Sequence, residues 1–160
     1  MSASRPPSVR VLACGAVDRG DDGAALRALL LVPAVTRRRW RVEEVGQLSA
    51  EQLMGDPPEL RRVVIDCVAG LTPGEITELP LAELPELEAA AEATSSHALG
   101  PGRAVALAAA LGAVRQHDRF IGIGGSSFAA GRDLSPAVEG ALDQFARRLV
   151  AIAQENEPCA

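Results

Sequence analysis

The sequence predicts an α/β protein, a three-layer α/β/α sandwich around a mostly parallel, twisted sheet. Short apolar runs typical of buried strands alternate along the chain with amphipathic segments of helical periodicity. One of these runs, residues 62–68, is apolar on both faces, as a central strand of a parallel sheet is. The length of 160 residues fits one domain over 1–160, with residues 1–8 and 156–160 expected to be flexible tails.

Five segments are predicted to be strands. Most are short apolar runs bounded by loop residues, which indicates burial on both faces. The fourth segment alternates polar and apolar residues, which is typical of an edge strand. In chain order the predicted strands are 9–15, 40–45, 62–68, 74–79 and 119–124.

Four helices are predicted between and after these strands. Residues 24–31 carry leucines at helical spacing, and residues 81–93 are acidic and alanine-rich, with the helix expected beyond Pro85. A third helix begins at about Pro101, because a proline lacks the N–H that has no partner in the first turn. A long helix with one apolar face follows Ser135 as N-cap and Pro136 in the first turn.

The charge composition excludes several classes of function. All 16 basic residues are arginine, so a Walker A lysine, a Schiff base and a lysine general base are absent. The net charge of −5 indicates no binding to nucleic acid, and the arginines at 37–39 and 41 are interpreted as solvated. No apolar run is long enough to span a membrane, and no signal peptide is evident, so we expect a cytoplasmic protein.

The cysteines are an odd number without C-x-x-C spacing, which argues against a disulfide framework or a cysteine zinc site. Cys14 and Cys67 lie in apolar runs, where a cysteine usually packs as a small hydrophobic residue. We therefore predict a structural role for these two rather than a catalytic one. The third, Cys159, lies near the carboxyl terminus.

Polar side chains follow three of the predicted elements. Asp21 and Asp22 follow the first strand, Asp66 ends the third, and His97 lies in a serine-rich loop after the acidic helix. In a doubly wound sheet these positions open onto one crevice. Two carboxylates and an imidazole suit a divalent metal such as nickel or zinc. Taken singly, each aspartate also fits a helix cap and the histidine an ordinary loop residue.

Two further residues, Asp21 and His117, are not placed in this metal set. Asp21 either orients its loop or assists as a base, and the sequence leaves both open. The second histidine, His117, is predicted to lie on the surface.

A phosphoryl-accepting receiver domain is an alternative, because it also places acidic residues after its first and third strands. Receivers rely in addition on a lysine near the last strand, which this chain lacks. Nucleotide binding is less well supported, since the first turn does not fit G-x-G-x-x-G.

An ordered set of motifs covers nearly the whole chain. It runs from VLACG at 11–15 into RGDDG at 19–23, then through VVID at 63–66 and Ser96-His97, to GI at 122–123, Gly131 and LSP at 134–136. In this order and spacing the sequence resembles the NiFe-hydrogenase maturation proteases, endopeptidases that trim the carboxyl-terminal tail of the hydrogenase large subunit.

The resemblance implies a metal-dependent endopeptidase whose metal contacts are Asp22, Asp66 and His97, which also serve as its catalytic residues. It implies that the metal is nickel carried within the immature large-subunit precursor, with another divalent metal as a substitute. The implied partner is that precursor. We expect a monomer without nucleic-acid or membrane partners.

The sequence departs from the family pattern at two places. The family usually has Asn where this chain has Ala16, and Gln-Pro-Glu where it has residues 124–126, Gly-Gly-Ser. These changes leave the three metal-contacting positions intact but alter the rim of the crevice. The alternative function is therefore a catalytically inactive relative that binds a metallated partner without cutting it.

Overall fold

The computed structural model describes residues 7–92 and 100–155 of the chain. Within these residues, one five-stranded sheet has the order β2-β1-β3-β5-β4, with β4 antiparallel to β5 and the other pairs parallel. Of the predicted tails at 1–8 and 156–160, the part at 1–6 and the whole of the second, which includes Cys159, lie outside the described residues, and so does His97. The strands are β1 (Val9–Cys14), β2 (Arg41–Gly46), β3 (Arg61–Val68), β4 (Ile76–Pro80) and β5 (Arg119–Gly124).

Helices cover both faces of the sheet, which confirms the predicted three-layer architecture. Helices α1 and α5 pack together on one face, and α3 and α4 pack together on the other. No helix in the described ranges is long and apolar enough to cross a membrane. The helices are α1 (Ala24–Leu31), α2 (Ala34–Arg37), α3 (Leu84–Glu92), α4 (Gly102–Ala110) and α5 (Pro136–Gln154).

Two apolar layers hold these helices to the sheet. Strand β3 contributes to both, because successive side chains of a strand point to opposite faces. Ile65 packs in the layer under α1 and α5, and Val64 packs in the layer under α3 and α4. Cys67 and Cys14 are buried free thiols, one in each layer, in keeping with their predicted packing role.

The structure adds short elements that the periodicity did not reveal. Helix α2 and three single 3-10 turns are each too short to show an amphipathic period. Helix α3 begins at Leu84, so Pro85 lies inside its first turn rather than before the helix. A proline is tolerated there because the N–H that it lacks would have no partner in the first turn.

A buried ion network closes the end of the sheet where the strands begin. Arg62 is fully buried, and Asp118, 1% exposed, accepts hydrogen bonds from its Nε at 3.1 Å and its Nη2 at 2.5 Å. The same guanidinium donates to the carbonyl oxygens of Leu53 and Ala113. Every charge in this pair is therefore matched in the interior, where an unmatched charge costs several kcal/mol.

We predict that Asp118→Ala lowers the free energy of unfolding by about 3–5 kcal/mol, because it removes the carboxylate that accepts two hydrogen bonds from the buried Arg62 guanidinium and leaves only Asp56, 3.7 Å from its Nη1 atom. Chemical denaturation measures the change. The exposed Asp143 of α5 provides the matched control, and its alanine variant should stay within about 0.5 kcal/mol of the parent. Equal effects of the two substitutions would show that the buried pair contributes nothing specific.

Candidate functional site

The site lies where the connections of the sheet change direction. After β1 the chain crosses to β2 on one side, while β3 pairs with the opposite edge of β1. In open α/β sheets this point, beyond the carboxyl ends of the strands, forms a crevice that binds ligands. Two of the predicted site residues, Asp22 and Asp66, lie at this crevice.

The turn after β1 fixes Asp22 at the crevice. Its Oδ2 atom accepts the backbone N–H of Ala16 at 2.9 Å, which ties the carboxylate to the start of the turn. Gly15, which precedes Ala16, has a φ of +105°, and a Cβ at Gly15 would overlap the carbonyl oxygen of Asp22. The turn therefore requires glycine at this position, and Asp22 is left half-buried at the edge of the sheet.

Asp66 lies within β3, two residues before the end of that strand, and is 7% exposed. Its Oδ1 atom accepts the backbone N–H of Cys67 at 2.8 Å. Burial raises the pKa of Asp66 well above its ordinary value, and the charges of Asp22 and Glu88 raise it further, against the opposing effect of the Cys67 amide. A cation in the crevice would favour the charged form of this carboxylate.

Glu88 is a third carboxylate near the crevice, which the sequence analysis did not single out. It lies in α3, is 7% exposed, and accepts the backbone N–H of Gly102 at 2.8 Å. The helix carries several glutamates, so composition alone does not distinguish this one. The position of Glu88 in the helix distinguishes it, because Glu88 follows the buried Leu84 by four residues and therefore lies on the same face of the helix.

Asp21 binds a different part of the chain from Asp22. It is fully buried, and its carboxylate accepts the backbone N–H groups of Ser126 at 2.8 Å, Ser127 at 3.0 Å and Ser135 at 2.7 Å. The hydroxyls of Ser126 and Ser135 donate to it as well, at 3.2 and 2.8 Å. Of the two predicted alternatives, the structure supports the orientation of the loop.

This arrangement revises the predicted cap of α5. Ser135 occupies the N-cap position as expected, but its side chain makes no capping hydrogen bond to the helix. Its hydroxyl donates to Asp21 instead. Burial acts to raise the pKa of Asp21, but the serine amides and the Ser135 hydroxyl outweigh burial and hold this pKa below its ordinary value.

The end of β5 and the residue after it pack closely against neighbouring segments at the two glycines where the sequence departs from the family pattern. A Cβ at Gly124 would overlap the carbonyl oxygen of Thr72, and one at Gly125 would lie 2.6 Å from the Sγ atom of Cys67. Neither position has room for a side chain. The Gly-Gly pair therefore reflects a rim that lies directly on the main chain of Thr72 and the side chain of Cys67.

The two buried thiols are poor nucleophiles in this setting. Burial raises the pKa of Cys14 and of Cys67, and the charge of Asp66 raises both further. Because the thiolate is the reactive form, thiols held in the neutral form are unreactive.

The predicted metal set is only partly visible in the structure. No three His, Cys, Asp or Glu side chains within 7–92 and 100–155 are arranged to hold a metal ion. Asp22 and Asp66 supply two carboxylates, and His97, the third residue of the set, lies outside the described residues. His117 is exposed next to the beginning of β5, at the end of the sheet opposite the crevice.

The fold and the crevice define a class: an α/β/α sandwich with a carboxylate pair at its topological switch point. Solved structures with this architecture include hydrogenase maturation proteases, so the resemblance is confirmed at the level of the fold. No family profile and no curated protein sequence matches the chain.

Three of these structures give the extent of the likeness. The NiFe hydrogenase maturation protease HybD from Thermococcus kodakarensis has a TM-score of 0.62 at 24% identity, covering 91% of this chain and 98% of that one. The hydrogenase-maturating endopeptidase HybD from E. coli has a TM-score of 0.66 at 19% identity, covering 92% of each chain. The endopeptidase HycI from Escherichia coli has a TM-score of 0.65 at 21% identity, covering 94% of this chain and 92% of that one.

We predict that Asp21→Asn destabilises the fold by about 2–3 kcal/mol. The asparagine side chain has a single, uncharged acceptor oxygen, which cannot accept all the hydrogen bonds that the Asp21 carboxylate accepts. The lowered pKa of Asp21 means that its stabilising effect is present above the ordinary aspartate range and is lost as pH falls through its folded value. The variant should therefore lose less stability than the parent on acidification. Thermal melts from neutral to acidic pH measure this, with the exposed Asp18→Asn as control.

We predict that Asp66→Asn stabilises the metal-free protein at neutral pH. The raised pKa of Asp66 means that its favourable contribution is present at low pH and is lost as pH rises through the folded value, so the gain from asparagine should grow with pH. Denaturation in mildly acidic and mildly alkaline buffer measures the trend. A variant less stable than the parent at both pH values would instead assign Asp66 a structural role.

Proposed function

We propose that this protein is an endopeptidase that removes the carboxyl-terminal tail of a nickel-loaded NiFe-hydrogenase large-subunit precursor. The observation that carries the proposal is the placement of Asp22 and Asp66 together at the switch-point crevice of a fold that maturation proteases share. The raised pKa of Asp66 supports it, because a carboxylate that is buried, and that also lies near the charges of Asp22 and Glu88, resists ionisation unless a cation is present.

In this proposal Asp22, Asp66 and His97 contact the nickel that the precursor carries. A metal held by such ligands polarises a carbonyl group or activates water for peptide hydrolysis. Asp22 is tied to the main chain through Ala16, and Asp66 through Cys67, so each carboxylate keeps one oxygen engaged by an amide. The pair is thereby oriented before substrate arrives, which reduces the ordering that binding requires.

The substrate metal also gives the enzyme a means of choosing its substrate. A precursor that lacks nickel would bring no cation to the carboxylate pair, so it would gain little from the crevice. The function proposed here therefore includes a check that the large subunit has been loaded. It requires no cysteine nucleophile, in keeping with the raised pKa of Cys14 and of Cys67.

A second candidate function is a binding module that recognises a metallated partner without cutting it. The observation that favours it is the rim at residues 124–126, where Gly-Gly-Ser replaces the family's Gln-Pro-Glu and the two glycines have no room for side chains. The receiver alternative is disfavoured by the 7% exposure of Asp66, which leaves little access for a phosphoryl donor.

We expect the protein to release a carboxyl-terminal peptide from a nickel-loaded, unprocessed large subunit, and not from the nickel-free form. Asp22→Ala, Asp66→Ala and His97→Ala should each abolish release, because each removes one proposed metal contact. Mass spectrometry of the large-subunit carboxyl terminus measures the outcome.

Matched controls separate loss of the site from loss of the fold. Asp18→Ala changes an exposed carboxylate next to the same turn, and His117→Ala changes the other histidine, so both should process normally. Tight binding of the loaded precursor without a new terminus would favour the binding module. Normal processing by His97→Ala would overturn the three-residue metal set.

A further inference from the structure

An apolar surface lies where α1 leads into α2. Leu30, Leu31 and Val35 are 69%, 49% and 74% exposed, so three large apolar side chains within six residues face solvent. Pro33 and Ala34, which lie between them, are exposed as well. Single exposed apolar residues are ordinary on a protein surface, but a contiguous apolar patch usually marks a surface that another molecule covers.

A groove beside this patch continues the apolar surface onto α5. It has a volume of about 460 Å³ and lies between residues 31–33 and the second half of α5, where it is lined by Asp143, Ala146, Arg147 and Val150. The patch and the groove together form one face, the α1–α5 face, made of residues 30–35 and 143–150.

Two opposite charges lie on the α5 side of this face. Asp143 and Arg147 are both exposed, and four residues of helix separate them by about 6 Å along the helix axis. Within residues 7–92 and 100–155, neither side chain has an ion-pair or hydrogen-bond partner. Both charges are therefore available to another molecule.

The order of these charges makes the face complementary to itself. A two-fold axis that passes between Asp143 and Arg147 sets Asp143 of one copy against Arg147 of a second copy, and symmetry repeats the contact in the opposite direction. The apolar side chains of the groove then lie between two ion pairs, as in an interface with an apolar centre and a polar rim. A partner of uniform charge would be attracted by one of these side chains and repelled by the other.

The α1–α5 face lies away from the crevice. Helix α1 begins next to the turn that carries Asp22, and its eight residues place its far end about 12 Å along the helix from that turn. The end of α5 lies where the strands begin, because Arg61 at the start of β3 donates to the carbonyl oxygens of Ile152 and Ala153. A second copy on this face would therefore leave the carboxylate pair accessible.

We propose that the protein forms a two-fold symmetric dimer through the α1–α5 face, in place of the monomer expected from the sequence. The molecule that covers the groove is a second copy of this chain, held by the apolar residues of the face and by two Asp143–Arg147 ion pairs. The face has fewer residues than the roughly 20–30 a side of a stable interface, so we expect reversible association with a micromolar dissociation constant. The proposal does not depend on the proposed function.

The test combines charge reversal in the full chain with analytical ultracentrifugation from micromolar to millimolar protein concentration. Asp143→Arg and Arg147→Asp each place like charges at both ion pairs, so each variant alone should have a dissociation constant raised by about tenfold or more. The two variants mixed should form a one-to-one dimer, because opposite charges then meet at both pairs. The double variant, Asp143→Arg with Arg147→Asp, should dimerise like the parent.

The mixing experiment is specific because general attraction does not explain its expected result. The parent has a net charge of −5 and each substitution changes it by two, so both single variants remain negative and repel each other at long range. Association of the mixture would therefore come from the local pairs.

A second comparison tests the apolar part of the face. Val35→Glu should raise the dissociation constant by about tenfold or more, because dimerisation would then bury an unpaired charge. Leu107→Glu provides the matched control, since Leu107 is 55% exposed on α4, across the sheet from this face, and its variant should dimerise like the parent. Circular dichroism verifies that each variant is folded.

Four results would overturn the proposal: a parent that stays monomeric at every concentration, single reversals that dimerise like the parent, a mixture of the two that stays monomeric, or equal weakening by Val35→Glu and Leu107→Glu. Neither nickel nor a precursor is needed. Denaturation below the dissociation constant measures the single chain, so Asp143→Ala remains a valid control for folding stability.

Discussion

One buried carboxylate joins the segments that surround the crevice. Asp21 accepts five hydrogen bonds from residues in the loop after β5 and at the start of α5, so its two oxygens join the turn after β1 to a segment more than 100 residues further along the chain. The next residue, Asp22, accepts the backbone N–H of Ala16 and lies within electrostatic reach of Asp66. Because the two aspartates are adjacent, whatever fixes the first also restricts the second. The position of Asp22 at the crevice therefore depends on the hydrogen bonds of its neighbour.

Buried charges are paired at one end of the sheet and have the same sign at the other. At the end where the strands begin, Arg62 and Asp118 neutralise each other in the interior. At the crevice, Asp66 is buried near the like charges of Asp22 and Glu88, and its pKa is raised as a result. A fold that matches its buried charges at one end and concentrates acidic groups at the other is typical of a protein whose function lies at the unmatched end.

The fold could be predicted from the sequence because the features that specify each strand and helix lie within that strand or helix. The apolar run of β3 and the proline near the start of α5 each specify their element without reference to the rest of the chain. Asp22 and Asp66 could be grouped in the same way, since topology alone brings the carboxyl ends of neighbouring strands together.

The parts that escaped prediction depend on contacts between distant residues. Nothing near Asp21 in the sequence indicates that Ser126 and Ser135 bind it, and nothing near Ser135 indicates that its hydroxyl leaves its own helix. Glu88 looks like the other glutamates of α3 until its face of the helix is known. The Arg62–Asp118 pair is likewise invisible, because a charged residue within a strand run is ordinarily exposed.

The packing of Gly124 also limits how the rim of the crevice can be changed. The carbonyl oxygen of Thr72 lies where a side chain of residue 124 would begin, so the end of β5 and the turn before β4 are in close contact. A larger residue at this position alone would force two backbone segments apart. Placing a side chain at Gly124 would therefore need a compensating shift of the main chain at Thr72, and the two segments have to be redesigned together.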